Sequence, residues 1–180
     1  MARVLFLKPD FLKKTTVIDE NVDEKLLTVI IEDAQNIRIH QLLGTPLYDK
    51  LKADVLASTL TGDYKTLMDD YITIALAKWC THEASFSMSV KYNNKGVVKK
   101  NAEFAQPVDY TERRDASDYW ESKAEWYSQR LVDYLCENQA LYPEYTESLD
   151  GDDIRPVHNA YSCNIFLGSN NAKRYIDNDE

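Results

Sequence analysis

Residues Val22–Leu51 read VDEKLLTVIIEDAQNIRIHQLLGTPLYDKL, and this stretch decides the fold class. Asp19, Asn21 and Asp23 are candidate N-caps, and Asp23 and Glu24 suit the positive end of a helix dipole. Leu27, Ile30, Ile31, Ala34 and Ile37 follow at spacings of three and four, a single apolar stripe along one helix. Gly44 offers a positive-φ stop after Leu43. Thr45-Pro46 restarts a helix at once, with Thr as N-cap and Pro at the first helical position, where its missing N–H costs nothing. Leu47, Leu51 and Val55 form the stripe of this second helix. Two helices meeting at a Gly-Thr-Pro corner point to an α-helical domain.

The pattern continues on both sides of the corner. Upstream, Arg3–Lys8 is apolar at Val4–Leu7 and stops at Pro9, as a short strand or an extended arm would; Phe11–Ile18 reads as an irregular lead-in. Downstream, Thr59–Gly62 is a loop and Asp63 caps a third helix. Its stripe runs through Tyr64, Leu67, Met68, Tyr71, Ile72, Ala75 and Trp79, and its far end is apolar nearly all round, which places it centrally. Residues 87–100 then change period: Ser87–Tyr92 and Val97–Lys100 flank Asn93-Asn-Lys-Gly96, the turn chemistry of a β-hairpin. After Pro107, Asp115 or Thr111 caps a long fourth helix to about Leu141. Ala116, Trp120, Tyr127, Leu131 and Tyr134 form its packing stripe, with Tyr119 and Trp126 on an adjacent one. Pro143 stops it. The expected organisation is a helical domain over residues 1–142 and an extended C-terminal arm over 143–180, because a stretch of that length without helical period carries no core of its own.

Composition narrows the function classes. The 180 residues carry a formal net charge of −9, with 44% hydrophobic and 28% charged side chains, values of an ordinary globular domain. Five Gly and five Pro are too few for a collagen-like or low-complexity chain. No run approaches the length of a membrane-spanning helix, and the apolar part of Met1–Pro9 is too short for a signal-peptide core, so neither membrane insertion nor export is expected. The acidity is local. Residues 101–155 hold 14 acidic against 5 basic side chains, whereas residues 1–100 are nearly balanced. Such a chain does not wrap nucleic acid, which requires clustered Lys and Arg. The hairpin alone runs the other way, with Lys91, Lys95, Lys99 and Lys100 and no acidic residue. Basic hairpin and acidic fourth helix are complementary, and side-by-side copies joined through them would make a heterologous contact that closes a ring or extends a filament.

Catalytic and metal chemistry find no constellation. Cys80, Cys136 and Cys163 contain no CxxC pair. Cys80 and His82 do not share a helix face, and Glu83 is not followed by the second His of a zinc protease. Asp69-Asp70 point in adjacent directions. Asp150-Gly-Asp-Asp153 lacks the closing Glu of a calcium loop. No phosphate loop and no GxSxG elbow occurs. No enzyme activity, cofactor or metal is therefore expected. Twelve Tyr and three Trp instead suggest interaction surface, since aromatic residues concentrate at interface centres.

The order of these features resembles a known family. Ala34-Gln35, Leu42-Leu43-Gly44-Thr45, Leu47-Tyr48, the turn Asn94-Lys95-Gly96 and the final helix DYWESKAEWYSQRLVDYL (Asp118–Leu135) are similar to the head–tail connector, or adaptor, proteins of tailed bacteriophages, in particular those of Bacteroides-infecting and crAss-like phages. The resemblance covers about residues 5–140. It implies a mainly α, four-helix adaptor-type bundle with one β-hairpin and an extended C-terminal arm. It implies a ring, commonly of twelve subunits, beneath the portal protein in the neck of the virion, which extends the DNA channel and docks the next neck or tail protein, while DNA passes without specific binding. On that reading Lys91, Lys95, Lys99 and Lys100 meet Glu121, Glu125 or Asp133 of a neighbouring subunit, and Tyr161, Ile165, Phe166 and Leu167 belong to a partner-binding arm. The alternative is a small non-enzymatic helical binding or regulatory module encoded by a phage.

Overall fold

The computed structural model describes residues 3–88, 90–93, 96–99, 109–146 and 154–156. The chain is mainly α-helical: α1 (Pro9–Thr15), α2 (Glu24–Ala34), α3 (His40–Leu43), α4 (Thr45–Ala57), α5 (Gly62–Leu67), α6 (Thr73–Ser87), α7 (Tyr110–Glu137) and α8 (Pro143–Thr146). Between α6 and α7 the strands β1 (Val90–Asn93) and β2 (Gly96–Lys99) pair antiparallel, Val90 opposite Lys99 and Lys91 opposite Val98.

Two of the helical runs are longer than their separate α segments, because a π-helical turn joins their parts. Gln35–Ile39 links α2 to α3, and Met68–Ile72 links α5 to α6. A π turn inserts one extra residue and rotates everything after it. The consequence is visible in the first run. Leu27, Ile30, Ile31 and Ala34 are buried as their spacing predicts, but the inward positions then become Gln35, Ile39 and Leu43. Ile37, expected on the stripe, stands 53% exposed. In the second run the wide turn is closed by Thr73, whose hydroxyl donates to the Met68 carbonyl at 2.6 Å.

The core lies where α6 packs along α7 on one side and α2 on the other. Ile72, Ala75, Leu76, Trp79 and Cys80 are buried, as expected of a helix apolar nearly all round. Small Ala75, Ala77 and Ala84 let the neighbouring axes approach. From α7 the inward residues are Ala124, Ser128, Leu131, Val132 and Leu135; Trp120, Tyr127 and Tyr134 are half-buried beside them, and Ala116, expected on the stripe, is exposed. Trp79 Nε1–H donates to Ser128 Oγ at 2.8 Å, so the polar atoms in this seam satisfy each other.

Several local expectations are corrected. Phe11–Ile18 is not irregular throughout: Pro9 starts α1, which buries Leu12. Asp63 is not the cap of the third helix, which begins at Gly62; it sits in the first turn, where its charge still meets the dipole. Neither Asp115 nor Thr111 caps α7. Asp109 does, in a capping box in which Glu112 Oε2 accepts the Asp109 N–H at 3.2 Å. Thr45 is helical, and its side chain caps nothing in α4.

The boundary at residue 142 also moves. Pro143 starts α8, and Tyr142 and Tyr145 are 0% and 1% exposed within the same core. Tyrosines hold this segment to the start of α5. Tyr142 Oη donates to the Asp63 carbonyl at 3.0 Å, Tyr64 Oη donates to Glu144 Oε2 at 2.6 Å, and the Tyr64 and Tyr142 rings meet edge to face. The helical body therefore runs through Thr146, and Ile154–Pro156 lies against it at Gly44 and Thr45.

Candidate interaction surfaces

The outer face of α7 is the first candidate. Residues seven apart on a helix lie two turns apart on one face, about 10 Å from each other. Tyr119 and Trp126 have this spacing and are 55% and 61% exposed, each meeting its half-buried neighbour, Trp120 or Tyr127, edge to face. Lys123, one turn from Tyr119, places its Nζ 4.2 Å from the centre of that ring. Acidic residues flank the strip: Asp115, Asp118, Glu125 and Asp133 are exposed. Of the residues expected to meet basic neighbours, Glu125 and Asp133 are exposed, with Asp133 closer to the Tyr119–Trp126 strip, whereas Glu121 is half-buried one turn before Glu125. Gln129 Nε2 donates to Asp133 Oδ1 at 2.7 Å, which holds that carboxylate along the helix.

The expected partners of these carboxylates are less completely described. Lys91 lies in β1 and Lys99 in β2, in adjacent cross-strand pairs. Lys95 and Lys100 lie outside the described residues, as do Tyr161, Ile165, Phe166 and Leu167 of the expected arm.

The second candidate is the corner, where sequence reasoning missed the chemistry. Gln35, only 2% exposed, uses its whole amide. Its Oε1 accepts the Phe6 N–H at 2.8 Å, and its Nε2 donates to the Val4 carbonyl at 3.1 Å and to Tyr48 Oη at 3.0 Å. Tyr48 Oη in turn donates to Asn36 Oδ1 at 2.6 Å. The extended Val4–Phe6 segment is thus held by a side chain rather than by a sheet. Burial raises the Tyr48 phenol above its ordinary range. Its ring stacks on His40, centroids 4.2 Å apart, and His40 Nε2 lies 3.0 Å from Thr45 Oγ1. That hydroxyl accepts the Ile154 N–H at 3.1 Å, and the Thr45 N–H donates to the Ile154 carbonyl at 2.9 Å. A signal for Gln35 existed: it is a polar residue directly after a clean apolar stripe. Reading it as buried required the π turn.

Of the residues weighed for metal or acid–base work, Asp150, Asp152, Asp153 and Cys163 lie outside the described residues, and Asp69, Asp70, Cys80, His82 and Glu83 form no cluster of three ligands. Cys80 is fully buried, and burial pushes its thiol far above the ordinary range. His82 instead faces α7, with Nδ1 3.1 Å from the Ser117 carbonyl. Asp69 is paired with Lys65 at 2.7 Å, both exposed. Among the described residues no three His, Cys, Asp or Glu side chains cluster as metal ligands, and no helix is long and apolar enough to cross a membrane.

These observations define a mainly α-helical protein with contacts between distant segments at its corner and along α7. The chain belongs to a family of unknown function, DUF6712, which it matches over residues 39–155. The matched span opens in the π turn before His40 and closes at Arg155, so it contains the corner and most of the segment lying on it. No curated protein and no solved structure matches the chain.

Proposed function

We propose that the protein is a head–tail connector of a tailed bacteriophage, a non-enzymatic subunit of a ring below the portal in the virion neck. In this reading the helical runs form an adaptor-type four-helix bundle, the β1–β2 hairpin reaches a neighbouring subunit, and the residues after Pro156 are an arm toward a portal or neck partner. The ring, twelve-fold as is common in such connectors, extends the DNA channel and docks the next neck or tail protein. The observation that carries the reading is the exposed Tyr119–Trp126 strip on an acidic helix, in a chain whose excess of Lys lies on a separate hairpin. A surface of that kind favours a second copy over nucleic acid, and an acidic channel repels phosphate and lets DNA slide.

The test is charge reversal at Lys95 and Lys99. The double substitution to Glu should weaken ring formation on the portal, seen by electron microscopy of the mixture, and the wild-type ring should dissociate as salt rises. Undiminished rings in the variant would reject the hairpin contact; absence of any portal complex with wild-type protein would reject the connector reading. Because α8 belongs to the core, the arm is tested by deleting residues 157–180 only. Loss of docking by a folded truncation is the expected result.

A further inference from the structure

We infer that the Gly44–Thr45 corner is a receptor for an extended Ile-x-Pro segment, filled here by Ile154–Arg155–Pro156, and that its occupancy is coupled to the seating of the N-terminal arm through Tyr48 and Gln35. The inference does not depend on the connector reading.

Three features make the corner a site and not a chance contact. First, both backbone polar groups of Ile154 go to a single residue 109 positions away, its N–H to Thr45 Oγ1 and its carbonyl to the Thr45 N–H. A side chain that would ordinarily cap its own helix is used for this instead. Second, Gly44 has φ +74° and ψ 159°, a conformation open essentially to glycine alone. Third, the space a side chain would need there is taken: a Cβ on Gly44 would lie 2.6 Å from Pro156 Cδ. Proline suits this position because it brings an apolar ring and no N–H to leave unpaired. Arg155 is exposed between the two anchors, so the middle residue is unrestricted. The specificity is for an extended backbone, an N–H and carbonyl at the first position, and a proline ring two residues on.

The coupling follows from shared atoms. Thr45 Oγ1 contacts both Ile154 and His40, His40 stacks on Tyr48, and Tyr48 Oη is held by Gln35, which binds Val4 and Phe6. Phe6 also meets the Tyr48 ring edge-on at 5.3 Å. Displacing the strap removes the Ile154 N–H from Thr45 Oγ1, so the hydroxyl that meets His40 is free to turn and the stacked His40–Tyr48 pair on which the arm rests loosens.

The experiment uses the full chain carrying Ile154→Pro and Pro156→Gly, which removes the N–H and the ring from the strap and leaves the receptor intact. A peptide of residues 151–158, GDDIRPVH, is titrated into it by amide NMR. The expected result is saturable shifts at His40, Gly44, Thr45 and Phe6, with none from a peptide carrying the same two changes. The wild-type chain, whose site is filled, should take up the peptide far more weakly. Unmoved Gly44 and Thr45 resonances at millimolar peptide, or equal uptake by the wild-type chain, overturn the receptor. In parallel, Thr45→Val in the full chain should speed hydrogen exchange about tenfold at Ile154, the factor one ordinary hydrogen bond represents. Exchange at Phe6 should quicken with it, and an unchanged Phe6 overturns the coupling. Should the doubly substituted chain fail to fold, Ile154 exchange in Thr45→Val decides the site: unchanged exchange rejects it.

Discussion

Gly44 and Gly62 both have positive φ, yet the two positions are unlike. Gly62 has φ +59° and no atom within 4 Å of a prospective Cβ, whereas Gly44 combines φ +74° with the Pro156 contact. Gly62→Ala should cost only the conformational penalty, about 1 kcal/mol. Gly44→Ala adds displacement of the Ile154–Pro156 segment and should cost about 1–3 kcal/mol more. Urea denaturation of the two variants measures the difference; equal losses would show that Pro156 contributes nothing at the corner. A helix stop at Gly44 is legible from one residue type and its neighbours. The proline ring above it is not, because nothing local links residue 44 to residue 156.

The helix pair α6 and α7 forms the most extensive packing between two elements, and Trp79 to Ser128 is a buried polar contact across it. Ser128→Ala leaves the indole N–H unpaired inside the seam and should destabilise by about 1–3 kcal/mol. Trp79→Phe removes the donor together with ring volume. The double variant should therefore lose less than the sum of the single losses, a non-additivity that a denaturation cycle measures; strict additivity would mean the bond has no energetic weight. The amphipathic stripes of these helices follow the 3.6-residue period, which is why Leu67, Ile72, Ala75 and Trp79 are readable in advance. The burial of Ser128 and the exposure of Ile37 are not, since the first depends on which partner faces α7 and the second on a π turn that shifts the register. The capping box Asp109–Glu112 is the opposite case: its Asp-x-x-Glu signature is wholly local, and it starts α7 ahead of Thr111 and Asp115.

Over the whole molecule the tyrosines act together. Tyr48, Tyr64, Tyr142 and Tyr145 have phenols raised above their ordinary value of 10, burial being the largest cause in each; the Glu144 carboxylate adds to it at Tyr64 and Tyr134 adds to it at Tyr142. A phenol raised in the folded state ionises first in the unfolded chain. Above about pH 10 the unfolded state then binds fewer protons, so stability is intact below that pH and falls as pH rises through it. Alkaline unfolding should begin near pH 10, with a block of tyrosines titrating together in the ultraviolet difference spectrum as the helical signal is lost. Independent titration of all twelve tyrosines in a folded chain would contradict this. Three of these four rings, Tyr64, Tyr142 and Tyr145, attach the segment after α7 to the body, which is why the domain does not end at Pro143.

Period and punctuation alone identify the long helices, though not the short α1 and α8, because apolar spacing, caps and the Gly-Thr-Pro corner act over a few residues. Local charge is readable in the same way: the acidic α7 and the lysines of residues 91–100 are facts of composition. What required the folded chain are the contacts across long separations, Gln35 with Val4 and Phe6, Tyr142 with Asp63, and Thr45 with Ile154. Their physical origin is burial. A polar atom enclosed by the core must find a partner, and which partner is near depends on how the helices pack, not on any residue's neighbours in sequence.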